Sequence, residues 1–535
     1  MIPKKTFRSQ NGVVYTPKLV ADSLVQYVMG LRDLGYRTIL EPSAGDGSFV
    51  SALEKHRSKN SSLTAIDKSR VAYKKLFADF PKVDVLESDF IGFANSKPAQ
   101  KYDLVIGNPP YVRRANMTAR GKKSLEKLDQ KNQMYSGSLV NLWAAFLKAA
   151  VDVASEDAVI AFVLPYEMLN NSYGIKIQNW ISEEIGSLDI FISKLRAFSG
   201  IDQDAVIAVI DLASLGNGIK IRYVDDFLDL ETSKDKAVTK VISANCALSR
   251  HSFLLDHDTI SLLKSLSYNL PKAESFCTNS TGIVTGANKY FILSTDDIEK
   301  HDLEEYAKPI VQKASDMPDT IMIKSDVGMP AYTRYVLDFD GLDTYDLSAA
   351  AVAYIRKIAN DGVATRYKCR NRDPWYQVPI LDSAPLYFFK RSHQKLKLIR
   401  NHTDIRITDT AYRVYPKVNV NADSLQSSFY NSLTLLFGEV EGRFYGGGVL
   451  EVTPNEFRKI PVIYEALCKK SNGEYQKRLE KYISSPDRIF QFGDDALKRK
   501  MQMTTDELKL VQNAYLALQD HRLRHGKALI SKALN

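Results

Sequence analysis

The chain has 535 residues, 44% hydrophobic and 25% charged, with a formal net charge of +9. That length exceeds one hydrophobic core, so two or three domains are expected, and the basic balance favours a polyanionic partner. Cys246, Cys277, Cys369 and Cys468 lie far apart without metal-ligand spacing, no secretory signal precedes the first strand, and apolar runs such as 158–164 fall far short of the roughly 20 residues of a membrane span, so a protein of the reducing cytoplasm is expected.

A basic, polar leader runs into Gly12-Val13-Val14-Tyr15-Thr16-Pro17. Thr16 is the expected N-cap and Pro17 the first residue of a helix over about 18–31. A short strand at 38–40 then enters Glu41-Pro42-Ser43-Ala44-Gly45-Asp46-Gly47-Ser48-Phe49 and a second helix. Gly45 and Gly47 let the backbone approach a ligand closely. The third glycine of a dinucleotide fingerprint is missing, however, and Glu41 stands before the turn, which disfavours a phosphate. A second strand at 63–66 ends in Asp67, placed to accept hydrogen bonds from ribose hydroxyls. A third at 83–86 leads to Asp89-Phe90, suited to the amino group and the face of an adenine ring.

The apolar run Leu104-Val105-Ile106-Gly107 predicts a buried parallel strand that delivers Asn108-Pro109-Pro110-Tyr111 at its carboxyl end. A carboxamide oxygen and a neighbouring main-chain oxygen accept two hydrogen bonds from one amino group, while proline holds the backbone stiff. An amino group on an aromatic base is a poor nucleophile because its lone pair is delocalised. Two acceptors on its hydrogens help localise that pair toward an electrophile, with Tyr111 stacking on the base. Any one acidic residue is more often a solvated surface group. Glu41, Asp67, Asp89 and Asn108 at four successive strand ends instead predict a doubly wound sheet with a nucleoside site.

Basic residues follow at Arg113, Arg114, Arg120, Lys122, Lys123, Lys127 and Lys131, either as a solvated face or as a track for a phosphate backbone. An amphipathic helix is expected over 138–154, with Asn141 near its start, and a fifth strand over 158–164. Phe198 precedes the apolar run Ala205-Val206-Ile207-Ala208-Val209-Ile210.

The ordered series Thr16-Pro17, Glu41 to Gly47, Asp67, Asp89-Phe90 and Asn108 to Tyr111 resembles the gamma-class (Taq-like, Eco57I-type) S-adenosylmethionine-dependent adenine-N6 DNA methyltransferases over about the first 210 residues. The resemblance implies a Rossmann-like class I methyltransferase domain followed by an α+β target-recognition domain and a helical tail. It implies that Tyr15, Thr16, Glu41, Ser43, Gly45, Asp67, Asp89, Phe90 and Asn108 hold S-adenosylmethionine, with no metal required. Asn108, Pro109 and Tyr111 would hold a flipped adenine, and Phe198 would contact its other face. Cytosine ring methylation needs a cysteine nucleophile, and the catalytic half has none.

The expected domains are 1–215 (catalytic), 216–245 (linker), 246–465 (target recognition) and 466–535 (helical). Within the second half, Thr285 to Phe291, Cys369 to Tyr376 and Phe444 to Val449 place arginines and glycines beside aromatics, which suits base-edge and backbone contacts. Arg370, Arg372, Trp375 and Tyr445 join Arg113 and Arg114 as DNA-binding candidates. The triple glycine also reads as a tight turn and Trp375 as a core anchor, and the basic tail with Arg522, Arg524 and Lys527 is less specific. Double-stranded DNA is the expected partner, with a separately encoded restriction endonuclease as a further one, and a monomer suffices. The chain starts a few residues before its first helix, so no self-contained nuclease is expected. Rival readings are methylation of the cytosine 4-amino group, of an RNA base or of a protein glutamine, and a non-enzymatic DNA-specificity subunit.

Overall fold

The computed structural model describes residues 15–32, 35–112, 114–132, 141–170, 172–196, 198, 204–214, 218–231, 237–240, 254–267, 269–317, 320–324, 334–445, 448–481 and 487–534. The chain divides into two compact units. The first comprises Met1–Asp256, Tyr445–Gly448 and Leu523–Asn535, the second His257–Phe444 and Val449–Arg522.

Short apolar runs separated by helices build the first unit around one sheet. Its strands are β1 (Thr38–Glu41), β2 (Ser62–Asp67), β3 (Asp84–Glu87), β4 (Tyr102–Gly107), β5 (Ala154–Pro165), β6 (Ser187–Ser193), β7 (Ala205–Asp211), β8 (Ile219–Val224) and β9 (Ala237–Lys240). The spatial order is 3-2-1-4-5-7-6-8-9. β3, β2, β1, β4 and β5 are parallel, and β7 runs antiparallel to both β5 and β6. The carboxyl ends of β1, β2, β4, β5 and β6 therefore share one edge, with the start of β7 beside them. Leu104, Val105, Ile106 and every residue from Ala158 to Leu164 are buried, as parallel strands covered on both faces should be. From β1 the chain winds outward through β2 and β3, then returns to β4 on the other side of β1. The gap between β1 and β4 is the topological switch point, where open α/β sheets bind ligands.

Three expectations change here. The first helix, α1 (Lys18–Met29), takes Pro17 as its N-cap residue, so Thr16 lies too early to cap it with its hydroxyl. The helix expected over 138–154 spans Leu142–Val153 and is buried on nearly all faces, because neighbouring helices cover the side turned away from the sheet. The expected linker at 216–245 contains β8 and β9. The alternation of Ile219, Ile221 and Tyr223 with Lys220 and Arg222 is a strand pattern, and β8 pairs with β6 across Leu188↔Ile219 to Ser193↔Val224.

The second unit is α+β. One sheet takes Cys277–Thr281, Ala411–Pro416, Leu386–Phe389, Leu398–Asn401 and Met322–Ile323 in spatial order, and smaller sheets flank it. A core including Phe291, Ile310, Val336, Phe339, Ala351 and Val363 lies under Ala349–Asn360. The tail is helical as expected, over Lys469–Glu480, Asp487–Met501 and Thr505–Leu534. Among the described residues no helix is long and apolar enough to cross a membrane.

Candidate active site

The turn after β1 is shaped by its two glycines. Gly45 (φ +52°) and Gly47 (φ +87°) adopt left-handed backbone, and a Cβ on Gly45 would lie 2.9 Å from the Tyr15 ring. Asp46 Oδ1 accepts from the Ser48 amide at 3.1 Å and from its hydroxyl at 2.8 Å, which starts the helix Ser48–His56. The turn is fastened to β2, since the Gly45 amide donates to Asp67 Oδ2 at 2.8 Å and the Ala44 amide to the Ile66 carbonyl at 3.0 Å. It is fastened to β4 as well, because the Ser43 hydroxyl donates to the Asn108 main-chain carbonyl at 3.0 Å. A Cβ on Gly107 would sit 3.4 Å from Pro42 and 3.5 Å from Glu41, so the ends of β1 and β4 approach closely.

Glu41 is 1% exposed, and its Oε2 has no hydrogen-bond partner. Burial, reinforced by the carboxylates of Asp46 and Asp67, holds its carboxyl well above the usual carboxylate range. Thr16, 4% exposed, leaves its Oγ1 equally unpartnered. Buried polar atoms are normally paired, so these two are open to a hydrogen bond from outside the chain. Asp67 also accepts from the Ser69 amide at 2.7 Å, and Asp89 caps the helix Phe90–Asn95 through a 2.9 Å bond from Gly92. Tyr15 stands 57% exposed against Gly45.

Asn108 is half-buried at the end of β4, Pro109 is buried, and Tyr111 is 9% exposed. The Tyr111 hydroxyl donates to the Val163 carbonyl at 3.0 Å, which fixes the ring, and burial pushes its acidity far down. The Phe90 ring is 1% exposed and packs on Phe146 with centroids 5.1 Å apart. Phe198 is likewise buried, at 2%.

Among the DNA-binding candidates, Arg113 and the Tyr445 side chain lie outside the described residues, and Arg114 is engaged by Glu126 at 2.7 Å. Arg372 is engaged within the second unit. Its guanidinium donates to the Thr285 carbonyl at 2.8 Å and the Val284 carbonyl at 2.6 Å, and so pins two loops together. Trp375 packs against the core and meets Tyr376 edge-on at 6.0 Å. Arg370 is exposed beside the Tyr367 ring (5.4 Å), itself 66% exposed. Arg366 lies 5.0 Å over Tyr290, with Lys289 and Lys368 exposed alongside. The Thr285 to Phe291 and Cys369 to Tyr376 stretches thus form one basic, aromatic lobe. Sequence reading missed an adjoining pocket of about 420 Å³ lined by Lys289, His301, Arg334 and Lys357 with Asp297 and Asp361. Those residues come from separated segments with no motif between them. Burial, then Lys357, holds the His301 imidazole below its usual pKa.

A parallel sheet with an acid-bearing glycine turn after β1 and Asn-Pro-Pro-Tyr after β4, across the switch point, defines the class I methyltransferase fold. The model of the Eco57I restriction-modification methylase matches residues 47–196, and that of the M.Eco57I carboxyl-terminal domain matches residues 249–496. Type II methyltransferase M.AccI of Acinetobacter calcoaceticus is 21% identical over 92% of this chain and 93% of its own. M.HindII of Haemophilus influenzae is 24% identical over 77% and 79%, and modification methylase CviBIII of a Paramecium bursaria Chlorella virus is 30% identical over 32% and 41%. The DrdV–DNA complex superposes with a TM-score of 0.50 over 88% of this chain and 57% of that one, at 13% identity. The chain belongs to the Eco57I-type restriction-modification methylases.

Proposed function

We propose that the protein transfers a methyl group from S-adenosylmethionine to the 6-amino group of a flipped adenine in double-stranded DNA. The observation that carries this reading is Asn108 at the switch point, bonded through its carbonyl to Ser43 of the glycine turn. S-adenosylmethionine would supply an electrophilic methyl group. The residues present fit it: Glu41 Oε2 is a buried acceptor awaiting a cationic donor, Thr16 Oγ1 lies orphaned, and Asp67 and Asp89 offer carboxylates for ribose hydroxyls and an adenine amino group. Tyr15 adds an aromatic face.

On the base side, the Asn108 side-chain oxygen and the Pro109 carbonyl accept the two amino hydrogens, orient the group and draw its lone pair out of the ring. Extruding a base costs a few kcal/mol. Stacking on Tyr111, held by its bond to Val163, offsets about 1–3 kcal/mol of that. Phe198 would contribute from the other face only after leaving its buried position. Arg366, Lys368, Arg370 and Lys289 would meet the phosphate backbone, with Tyr367 and Tyr290 available for stacking. The likeness to Type II methyltransferases supports a modification enzyme; a monomer working in the cytoplasm beside a separately encoded endonuclease completes the proposal.

The test is to incubate the protein with duplex DNA and methyl-labelled S-adenosylmethionine, then digest the product to nucleosides. Label in 6-methyldeoxyadenosine is expected. Label in 4-methyldeoxycytidine would move the target, and DNA left unlabelled would overturn the reading.

A further inference from the structure

Arg524–Asp204 is among the buried ion pairs, in the described residues, that the mechanism does not use. Arg524 and Asp204 have side chains only 7% and 6% exposed and are bonded through the guanidinium NH2 and Oδ2. Both belong to the first unit, although 320 positions separate them. Asp204 stands at the entrance to β7, and its Oδ1 accepts from the Ala205 amide at 2.9 Å. Its main-chain carbonyl accepts from the amide of Tyr166 at 3.0 Å, just beyond β5. The Arg524 Nε donates to the Ser193 carbonyl, the last residue of β6, at 3.2 Å, and its guanidinium lies 5.0 Å over the Tyr166 ring. One side chain thus joins the ends of β5 and β6 to the start of β7, on the edge that carries Asn108 at the end of β4. Phe198 lies in sequence between two of the joined points, Ser193 and Asp204.

We infer that Arg524 is a positioning residue for the base pocket: it holds the strand ends that flank Phe198 and set the depth of the pocket opposite Tyr111. This rests on the proposed base-methylation reading and adds to it that Arg524, although 320 positions from Asp204, belongs to the unit that carries the site. Charge and geometry both suit the task. A guanidinium presents a planar fork able to serve a carboxylate and a carbonyl together, which an ammonium cannot reproduce. A buried pair also resists screening, so the link should persist at moderate salt.

The test uses the full-length protein with Arg524→Lys, and with the double variant Arg524→Leu/Asp204→Asn, which leaves no unpaired buried charge. Four readouts are taken: kcat, S-adenosylmethionine affinity, melting temperature, and fluorescence of 2-aminopurine placed at the base the wild type methylates. The expected result is a fall in kcat of about 10–100-fold in the double variant, the scale of a small misplacement remote from the chemistry. S-adenosylmethionine affinity should stay within about threefold and the melting temperature should hold, while the 2-aminopurine signal is lost and Arg524→Lys recovers it in part. A double variant with unchanged kcat would overturn the inference. So would parallel loss of S-adenosylmethionine binding and melting temperature, which marks a purely structural pair. An inactive wild type would instead count against the methylation reading itself.

Discussion

The hydroxyl of Ser43 donates to the main-chain carbonyl of Asn108 at 3.0 Å, joining the turn that follows β1 to the end of β4 across the switch point. This bond makes the position of Asn108 depend on the turn. Ser43→Ala should lower kcat by about 3–10-fold, the equivalent of one net hydrogen bond, with S-adenosylmethionine affinity changed less. Single-turnover kinetics beside a binding titration separate the two effects.

Glu41 is a pH-dependent element of the first unit. Its folded-state carboxyl titrates well above the usual range because it is buried beside Asp46 and Asp67. The folded chain therefore holds a proton that the unfolded chain releases, and stability contributed at low pH is lost as pH rises through the raised value. Glu41→Gln should raise the melting temperature of the cofactor-free protein at neutral pH, with the difference vanishing in acid. A cationic ligand binds only the ionised carboxyl, so wild-type S-adenosylmethionine affinity should climb with pH while that of Glu41→Gln stays weak and flat. Calorimetric titrations across pH check both statements.

Arg370 and Arg372 are two positions apart and should behave oppositely. Arg372→Ala removes both donors to Val284 and Thr285 and should destabilise by about 1–3 kcal/mol. Arg370→Ala, exposed over Tyr367, should leave stability unchanged and reduce the salt slope of DNA binding by about 1. Denaturant melts and binding isotherms at several salt concentrations distinguish them.

Arg522 is buried at 1% and bonds Glu439 through its NH2 at 2.7 Å and its Nε at 2.8 Å. Burial raises the Glu439 carboxyl above its usual range, and the Arg522 hydrogen bond pulls it back down. Arg522→Met should cost about 3–5 kcal/mol because it strands a buried carboxylate, whereas replacing both residues by leucine should be far milder. Chemical unfolding of the single and double variants measures the difference.

Much of the catalytic unit was legible because parallel strands buried on both faces read as apolar runs and the turns between them carry Gly, Pro and acids in fixed order. Glu41, Asp67, Asp89 and Asn108 stand at successive strand ends as expected. A Thr directly before a Pro reads as an N-cap, whereas Pro17 itself takes that position, so the helix start lies one residue later than the sequence suggests. Nothing in the sequence signals that the Phe90 ring packs on Phe146, 56 positions away. The second unit was least legible. Whether Arg372 faces solvent or two carbonyls of a distant loop is decided by tertiary packing, which leaves no periodic trace. The same holds for Arg524, whose partner lies 320 positions back.

The most direct test expresses the wild type and Asn108→Ala in a methylation-free bacterial host and sequences the genomic DNA by a method that reports modified bases at single-nucleotide resolution. The expected result is 6-methyladenine in one recurring motif with the wild type, lost with Asn108→Ala while S-adenosylmethionine affinity stays within a few fold. Full methylation by Asn108→Ala, or genomic DNA left unmodified by the wild type, would overturn the role proposed for Asn108.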